Sequence, residues 1–218
     1  MDLAAPKARV ERAGSKALAV LGGTFDPPHN GHLALARGVL DALGLPRLLL
    51  MPAGDPHFKQ GAQLTPARHR AAMAGLLAQE DSRIELSMIE VERPGITYTA
   101  DTLEQLAAQH PGTRLCFIIG GDCLGHVMRW RRAEDIARLC TLIAVERPGY
   151  SFEQGRAALE SCGLPFKAEY LCLDTPDVSS TQLREHAGRG EPLDGLVPAG
   201  VADYIYAHGL YGAAPRAL

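Results

Sequence analysis

Short apolar runs alternate with segments whose apolar positions recur every three or four residues, and the alternation holds along most of the chain. The runs are ALAVLGG around Leu18, RLLLMPA around Leu49, RIEL around Ile84, RLCFIIGG around Phe117, CTLIAVER around Ile143 and AEYLCL around Tyr170. Most are continuous rather than alternating, which is the pattern of a strand covered on both faces. Between them lie predicted helices. From Gly31 onward, Leu33, Ala36, Leu40 and Leu43 form one stripe that Gly44 closes. Thr65 is the expected N-cap of a second helix, with Pro66 at its first position ahead of Met73, Leu76 and Leu77. Asp101 with Glu104, and Ser179 with Gln182, have capping-box spacing. A last helix is predicted from Pro198 through Val201, Tyr204 and Ile205 to His208, with Gly209 just past its end.

This order predicts an α/β fold: a single Rossmann-like domain, mostly parallel sheet with helices on both faces. No repeat, low-complexity tract or linker divides the chain. The expected boundaries are a polar N-terminal extension over residues 1–16, the α/β domain over 17–213 and a tail over 214–218.

Composition narrows the partners. The 218 residues are 46% hydrophobic and 22% charged, a balance that fills a core and argues against disorder. A net charge of −3 supplies no broad field for a long polyanion, so nucleic acid is not an expected partner. Small phosphorylated ligands need only a local cluster of donors. Cys116, Cys123, Cys140, Cys162 and Cys172 contain no C-x-x-C pair, and several fall in apolar runs. That predicts reduced thiols in a reducing compartment. The first sixteen residues have no apolar signal region, and no segment approaches the ~20 apolar residues of a membrane helix. The expected location is cytoplasmic, with no membrane partner. Oligomeric state is left open, a homo-oligomer included.

The densest chemistry lies in GGTFDPPHNGH, residues 22–32, directly after the first predicted strand. Ligands of open parallel sheets lie outside the carboxyl ends of the strands, where this stretch belongs. Gly22 and Gly23 let backbone approach a ligand closely. His29 and His32, three apart at a helix start, place both rings near one face of the first turn, beside unpaired amides and a positive dipole end. Phosphate suits such a place. The same residues also fit a plain strand–helix connection, or two ligands of a metal, although a lone H-x-x-H lacks the third ligand. Neither G-x-x-x-x-G-K-[ST] nor G-x-G-x-x-G occurs, so a P-loop kinase or a nicotinamide-dependent dehydrogenase is not expected.

GGTFDPPHNGH resembles the H-x-G-H signature region of the nucleotidyltransferase superfamily. TYTADTL from Thr97, GGDCL from Gly120 with Trp130 downstream, ERPGY from Glu146, VSSTQLR from Val178 and the closing VPAGVADYIYAHGLY follow in order. Together they resemble the bacterial nicotinate-nucleotide adenylyltransferases over nearly the whole chain. The resemblance implies adenylyl transfer from ATP to nicotinate mononucleotide, with Mg2+ accompanying ATP.

On that resemblance, His29, His32 and Arg184 are the catalytic set. Gly22, Gly23, Thr24, Phe25, Asp122, Ser180 and Thr181 join them around ATP. Lys59, Tyr98, Thr99, Thr102 and Trp130 receive the acceptor, Trp130 by stacking on the pyridine ring. Blander readings stand beside each: a helix cap for SSTQLR, TYTADTL and Asp122, a core role for Trp130. One run departs from the family pattern. Where a Pro-Pro-His-Lys type sequence is common, this chain reads PAGDPHFKQ, which leaves the roles of His57 and Lys59 open. Arg129, Arg131 and Arg132 are alternative cations, or a solvated face. Other acceptors of the same chemistry, nicotinamide mononucleotide or pantetheine phosphate, and a non-catalytic nucleotide sensor remain as alternatives.

Overall fold

The computed structural model describes residues 16–56, 63–146 and 152–214. All six apolar runs are strands of one sheet. They are β1 (Ala17–Gly23), β2 (Leu48–Pro52), β4 (Ile84–Leu86), β6 (Arg114–Gly120), β7 (Cys140–Glu146) and β8 (Lys167–Cys172), after a short β3 (Asp55–Pro56) and β5 (Ile96–Thr97). The sheet runs β4-β2-β1-β6-β7-β8 and every pairing is parallel. β3 and β5 form a separate parallel pair, locked by the Thr97 hydroxyl donating to the Asp55 carbonyl at 3.1 Å. Nothing in the apolar pattern announces these two-residue strands, because so short a pair has no period to read.

The helices are α1 (Asn30–Leu43), α2 (Ala67–Ala78), α3 (Ile89–Glu92), α4 (Thr99–Gln109), α5 (Gly121–Leu124), α6 (Ala133–Leu139), α7 (Glu153–Ser161), α8 (Ser180–Gly188) and α9 (Ala199–Ala207). Alternation along β1 sorts them into two layers. Ala17, Ala19 and Leu21 face a core built with α1, α2, α8 and α9. Leu18 and Val20 face the opposite core, built with α4, α6 and α7. Both faces of the central strands are therefore apolar, as their continuous runs require. The single Rossmann-like α/β domain stands. Chain order passes from β1 outward to β2 and β4, then returns to β6 on β1's other side. That reversal opens a crevice at the carboxyl ends of β1 and β6.

Local signals were met unevenly. Gly44 caps α1 in the left-handed conformation (φ 60°), and α9 lies between Pro198 and His208. Ser179 and Gln182 form the reciprocal capping box of α8. The α2 cap falls one residue later than expected, on Pro66 (ψ 139°), because Thr65 is held on both sides: its N–H donates to Asp26 and its carbonyl accepts from Arg70. Asp101 is not a cap either. Helix α4 begins at Thr99 with Tyr98 as N-cap, which places Asp101 in the first turn. There its carboxylate accepts from Arg132.

Residues 1–15 of the expected extension and 215–218 of the tail lie outside the described residues, as do His57, Lys59 and most of ERPGY.

Candidate active site

β1 delivers GGTFDPPHNGH to the crevice, and the loop's shape follows from its residues. Phe25 adopts φ 51°, a costly conformation for a bulky side chain. Its ring turns back into the core beneath Gly23, where an added Cβ would lie 2.9 Å from the ring. Gly23 is thus required by Phe25 rather than by a ligand alone. The ring then meets His32 edge-on, at 4.9 Å between centroids. His29 and His32 lie against each other with centroids 3.7 Å apart and planes tilted by 33°. The expected shared face is there.

The hydrogen bonds at this helix start fix what the loop can offer. The His29 N–H donates to His32 Nδ1 at 3.2 Å. That acceptor role puts the neutral ring's proton on Nε2, which makes Nε2–H the ring's donor. The amides expected to face a phosphate are mostly engaged inside the protein. Asn30 N–H donates to the Leu196 carbonyl at 2.9 Å, and its side chain to the Gly195 carbonyl at 2.8 Å. In α1 the imidazoles, rather than an open row of amides, carry the donor capacity.

Helix α8 closes the loop from the opposite side. Ser180 donates to the Pro27 carbonyl at 2.8 Å, and Arg184 to the Asp26 carbonyl at 2.8 Å and to Thr181 Oγ1 at 3.3 Å. This corrects one expectation. The only hydrogen of the Ser180 hydroxyl is committed to Pro27, so that group ties helix to loop instead of donating to phosphate. Arg184 uses two of its five donors, and the first amides of α8 have no partners within their helix. The donor end that remains is cationic.

Beyond β6 lie several of the residues expected to receive the acceptor. Trp130 packs edge-on to Phe117 at 6.4 Å, and Phe117 in turn lies beside Gly22. The Arg131 guanidinium sits 4.4 Å over the Tyr98 ring. Arg132 is held by Asp101, Glu104 and Asp135, whose hydrogen bonds push its pKa up. Three of its five donors and its charge are thus engaged by carboxylates. Thr102 also departs from expectation. It is completely buried, its hydroxyl donating to Glu90 at 2.8 Å and accepting from Arg93 at 2.8 Å, so it supports the TYTADTL turn from beneath. Burial pushes the Glu90 carboxyl up, against the pull of Thr102, Arg93 and Thr97. Asp122 lies in α5 immediately after β6. Among the described residues no group of three or more His, Cys, Asp or Glu side chains could hold a metal ion.

A cytidylyltransferase-like family profile matches residues 20–186. A probable nicotinate-nucleotide adenylyltransferase of Symbiobacterium thermophilum is 43% identical over 196 residues, covering 89% of this chain and 94% of its own. The nicotinate-nucleotide adenylyltransferase of Bacillus subtilis is 36% identical, covering 90% and 98%. The chain belongs to the nicotinate-nucleotide adenylyltransferase family. The fold agrees with that of Plasmodium falciparum nicotinic acid mononucleotide adenylyltransferase complexed with NaAD. The TM-score is 0.73 at 19% identity, covering 90% of this chain and 98% of that one.

Three residues of this family member's site were not found by sequence reasoning. Asp26 is buried at 3% exposure, its carboxylate accepting from the Thr65 N–H at 3.2 Å and the Tyr211 hydroxyl at 2.7 Å. Burial and that bond to Asp26 push the Tyr211 phenol up, so it stays protonated and donating. Arg70, 1% exposed, donates to the carbonyls of Thr65, Thr24 and Gly54. The only advance sign of Asp26 and Tyr211 was their place within motifs. Arg70 had none. No helix of the described residues is long and apolar enough to cross a membrane.

Proposed function

We propose that the protein transfers the adenylyl group of ATP to nicotinate mononucleotide, releasing pyrophosphate and forming nicotinate adenine dinucleotide. The observation that carries this reading is the paired His29 and His32 on the loop leaving β1, faced by Arg184 and the start of α8 across Asp26 and Pro27. A site of neutral and cationic donors with no nucleophile–base pair fits a reaction whose nucleophile arrives with the substrate. The acceptor's phosphate monoester has its second pKa near ~6 and is mostly dianionic at neutral pH. One of its oxygens forms the new bond to the α-phosphorus as the bond from that phosphorus to the bridging oxygen of pyrophosphate breaks. No proton need be removed by the protein.

Placement and charge stabilisation then dominate the rate. His32 Nε2–H and His29 face the α-phosphate region, with His32 nearest the reacting centre. Arg184 and the α8 amides hold the β- and γ-phosphates, where charge accumulates as pyrophosphate leaves. Main chain at Gly22, Gly23, Thr24 and Phe25 lines the nucleotide, and Asp122 stands where β6 ends. The turn at Tyr98 and Thr99, with Trp130, receives the pyridine ring and its carboxylate. A divalent cation, magnesium in this reading, shields the triphosphate and is coordinated chiefly by phosphate oxygens. The cytoplasm, where ATP is abundant, is the corresponding location.

The test follows the label. With ATP carrying a labelled α-phosphorus, the label must appear in the dinucleotide and not in pyrophosphate. Label left in free AMP, in equal yield with and without acceptor, contradicts transfer.

A further inference from the structure

We infer that Arg70 is a positioning residue of the transfer reaction, fixing the nucleotide loop after β1 against the acceptor-side loop after β2 through one buried guanidinium. The inference rests on the function proposed above. Three nitrogens serve three chain segments. Nη1 donates to the Thr24 carbonyl at 2.7 Å, Nη2 to the Gly54 carbonyl at 2.8 Å, and Nε to the Thr65 carbonyl at 2.9 Å.

Burial of a guanidinium costs several kcal/mol unless its donors are satisfied. An apolar side chain would fill the same place on α2 beside Met73 and Ala74, which belong to the core. The charge is therefore matched to the carbonyls it gathers. Asp26 helps hold it from nearby, and also accepts from the N–H of Thr65, the residue whose carbonyl accepts from Arg70 Nε.

The consequence reaches the site through peptide planes. In a trans peptide the carbonyl and the following N–H point opposite ways. Drawing the Thr24 carbonyl inward turns the Phe25 N–H away from Arg70, at the residue whose φ of 51° needs external support. Drawing the Gly54 carbonyl inward does the same for Asp55, in the strand that pairs with the TYTADTL side through β5. A second tie, Ala53 N–H to the Gly23 carbonyl at 2.8 Å, joins the same loops but leaves those two peptides free to rotate. Space is tight as well: an added Cβ on Gly54 would lie 2.1 Å from the Glu90 carbonyl oxygen. Arg70 thus sets how far apart, and in what orientation, two substrates held on different loops meet.

The experiment compares wild type with Arg70→Lys and Arg70→Met, each assayed well below its unfolding midpoint and normalised to folded protein. Lys keeps the charge but cannot reach three carbonyls with one ammonium. Since the triphosphate is held mainly by His29, His32 and Arg184, ATP affinity measured without acceptor is expected to stay within about fivefold of wild type. The turnover number is expected to fall by ~10²-fold, the effect of a small misplacement on an in-line reaction. If Arg70→Met does not fold, Arg70→Lys decides. A turnover number within threefold of wild type overturns the inference, and so does ATP affinity falling in step with turnover, which marks a general structural role. A wild type that turns over no acceptor contradicts the proposed function itself and removes the step Arg70 would position.

Discussion

At the scale of single residues, the proposed role of His32 rests on one nitrogen. Because Nδ1 accepts from the His29 N–H, the donor that the proposed function turns to phosphate is Nε2–H. His32→Ala should lower turnover by ~10²–10³, the usual effect of losing one preorganised donor. His32→Gln, whose amide nitrogen lies near the Nε2 position, should retain more activity than His32→Asn, whose nitrogen mimics Nδ1. The opposite order in steady-state assays would reverse the assignment of the proton. Glu90 gives a pH-dependent test. Its folded pKa lies above the ~4.3 of an unfolded glutamate, so its contribution is intact below about pH 4 and drains away as pH rises through the folded value. Glu90→Gln, which keeps an acceptor for Thr102, should gain stability relative to wild type between pH 4 and 8. Melting temperatures differing by a constant offset across that range would exclude burial of the charge as the cause. His29 and His32 were legible because a three-residue spacing survives into a helix turn. Arg70 was not, since an arginine in ARHRAA reads as a solvated position and only carbonyls from distant loops make its burial tolerable.

At the scale of elements, a helix start is informative when its cap is local. The box between Ser179 and Gln182 was expected from spacing and is present, because both partners lie within one turn. Asp101 with Glu104 has the same spacing, yet distant Arg132 draws both carboxylates and the helix starts earlier. Thr65 likewise loses its capping role to Asp26 and Arg70. Helix α8 therefore offers the cleaner test. Ser179→Ala should cost about 1 kcal/mol in urea unfolding, and it should weaken ATP binding as the start of α8 frays near Arg184. Unchanged unfolding would mean that Ser180 and Arg184, anchored to Pro27 and Asp26, hold that turn without the cap. The six strands of the main sheet were readable from short, mostly continuous apolar runs. The β3–β5 pair was not, being two residues a side.

At the scale of the whole molecule, alternation of strands and helices indicates a layered parallel sheet but not its order. Strand order depends on which crossover leads where, and the crevice between β1 and β6 became visible only with β6 placed beside β1. The closing HGLY segment belongs to this scale too. Tyr211 crosses 185 positions of sequence to donate to Asp26 in the first loop. Tyr211→Phe leaves a buried carboxylate oxygen without that donor and should destabilise the fold by about 1–3 kcal/mol in chemical denaturation. A loss under 0.5 kcal/mol would mean that Asp26 finds another donor. These ties converge on the loop to which the proposed function assigns the triphosphate. The most direct measurement is pyrophosphate release from ATP with nicotinate mononucleotide, nicotinamide mononucleotide and pantetheine phosphate supplied in parallel. The account predicts the fastest release with nicotinate mononucleotide and none without an acceptor. Release with pantetheine phosphate alone, or ATP binding with no release from any acceptor, would contradict it.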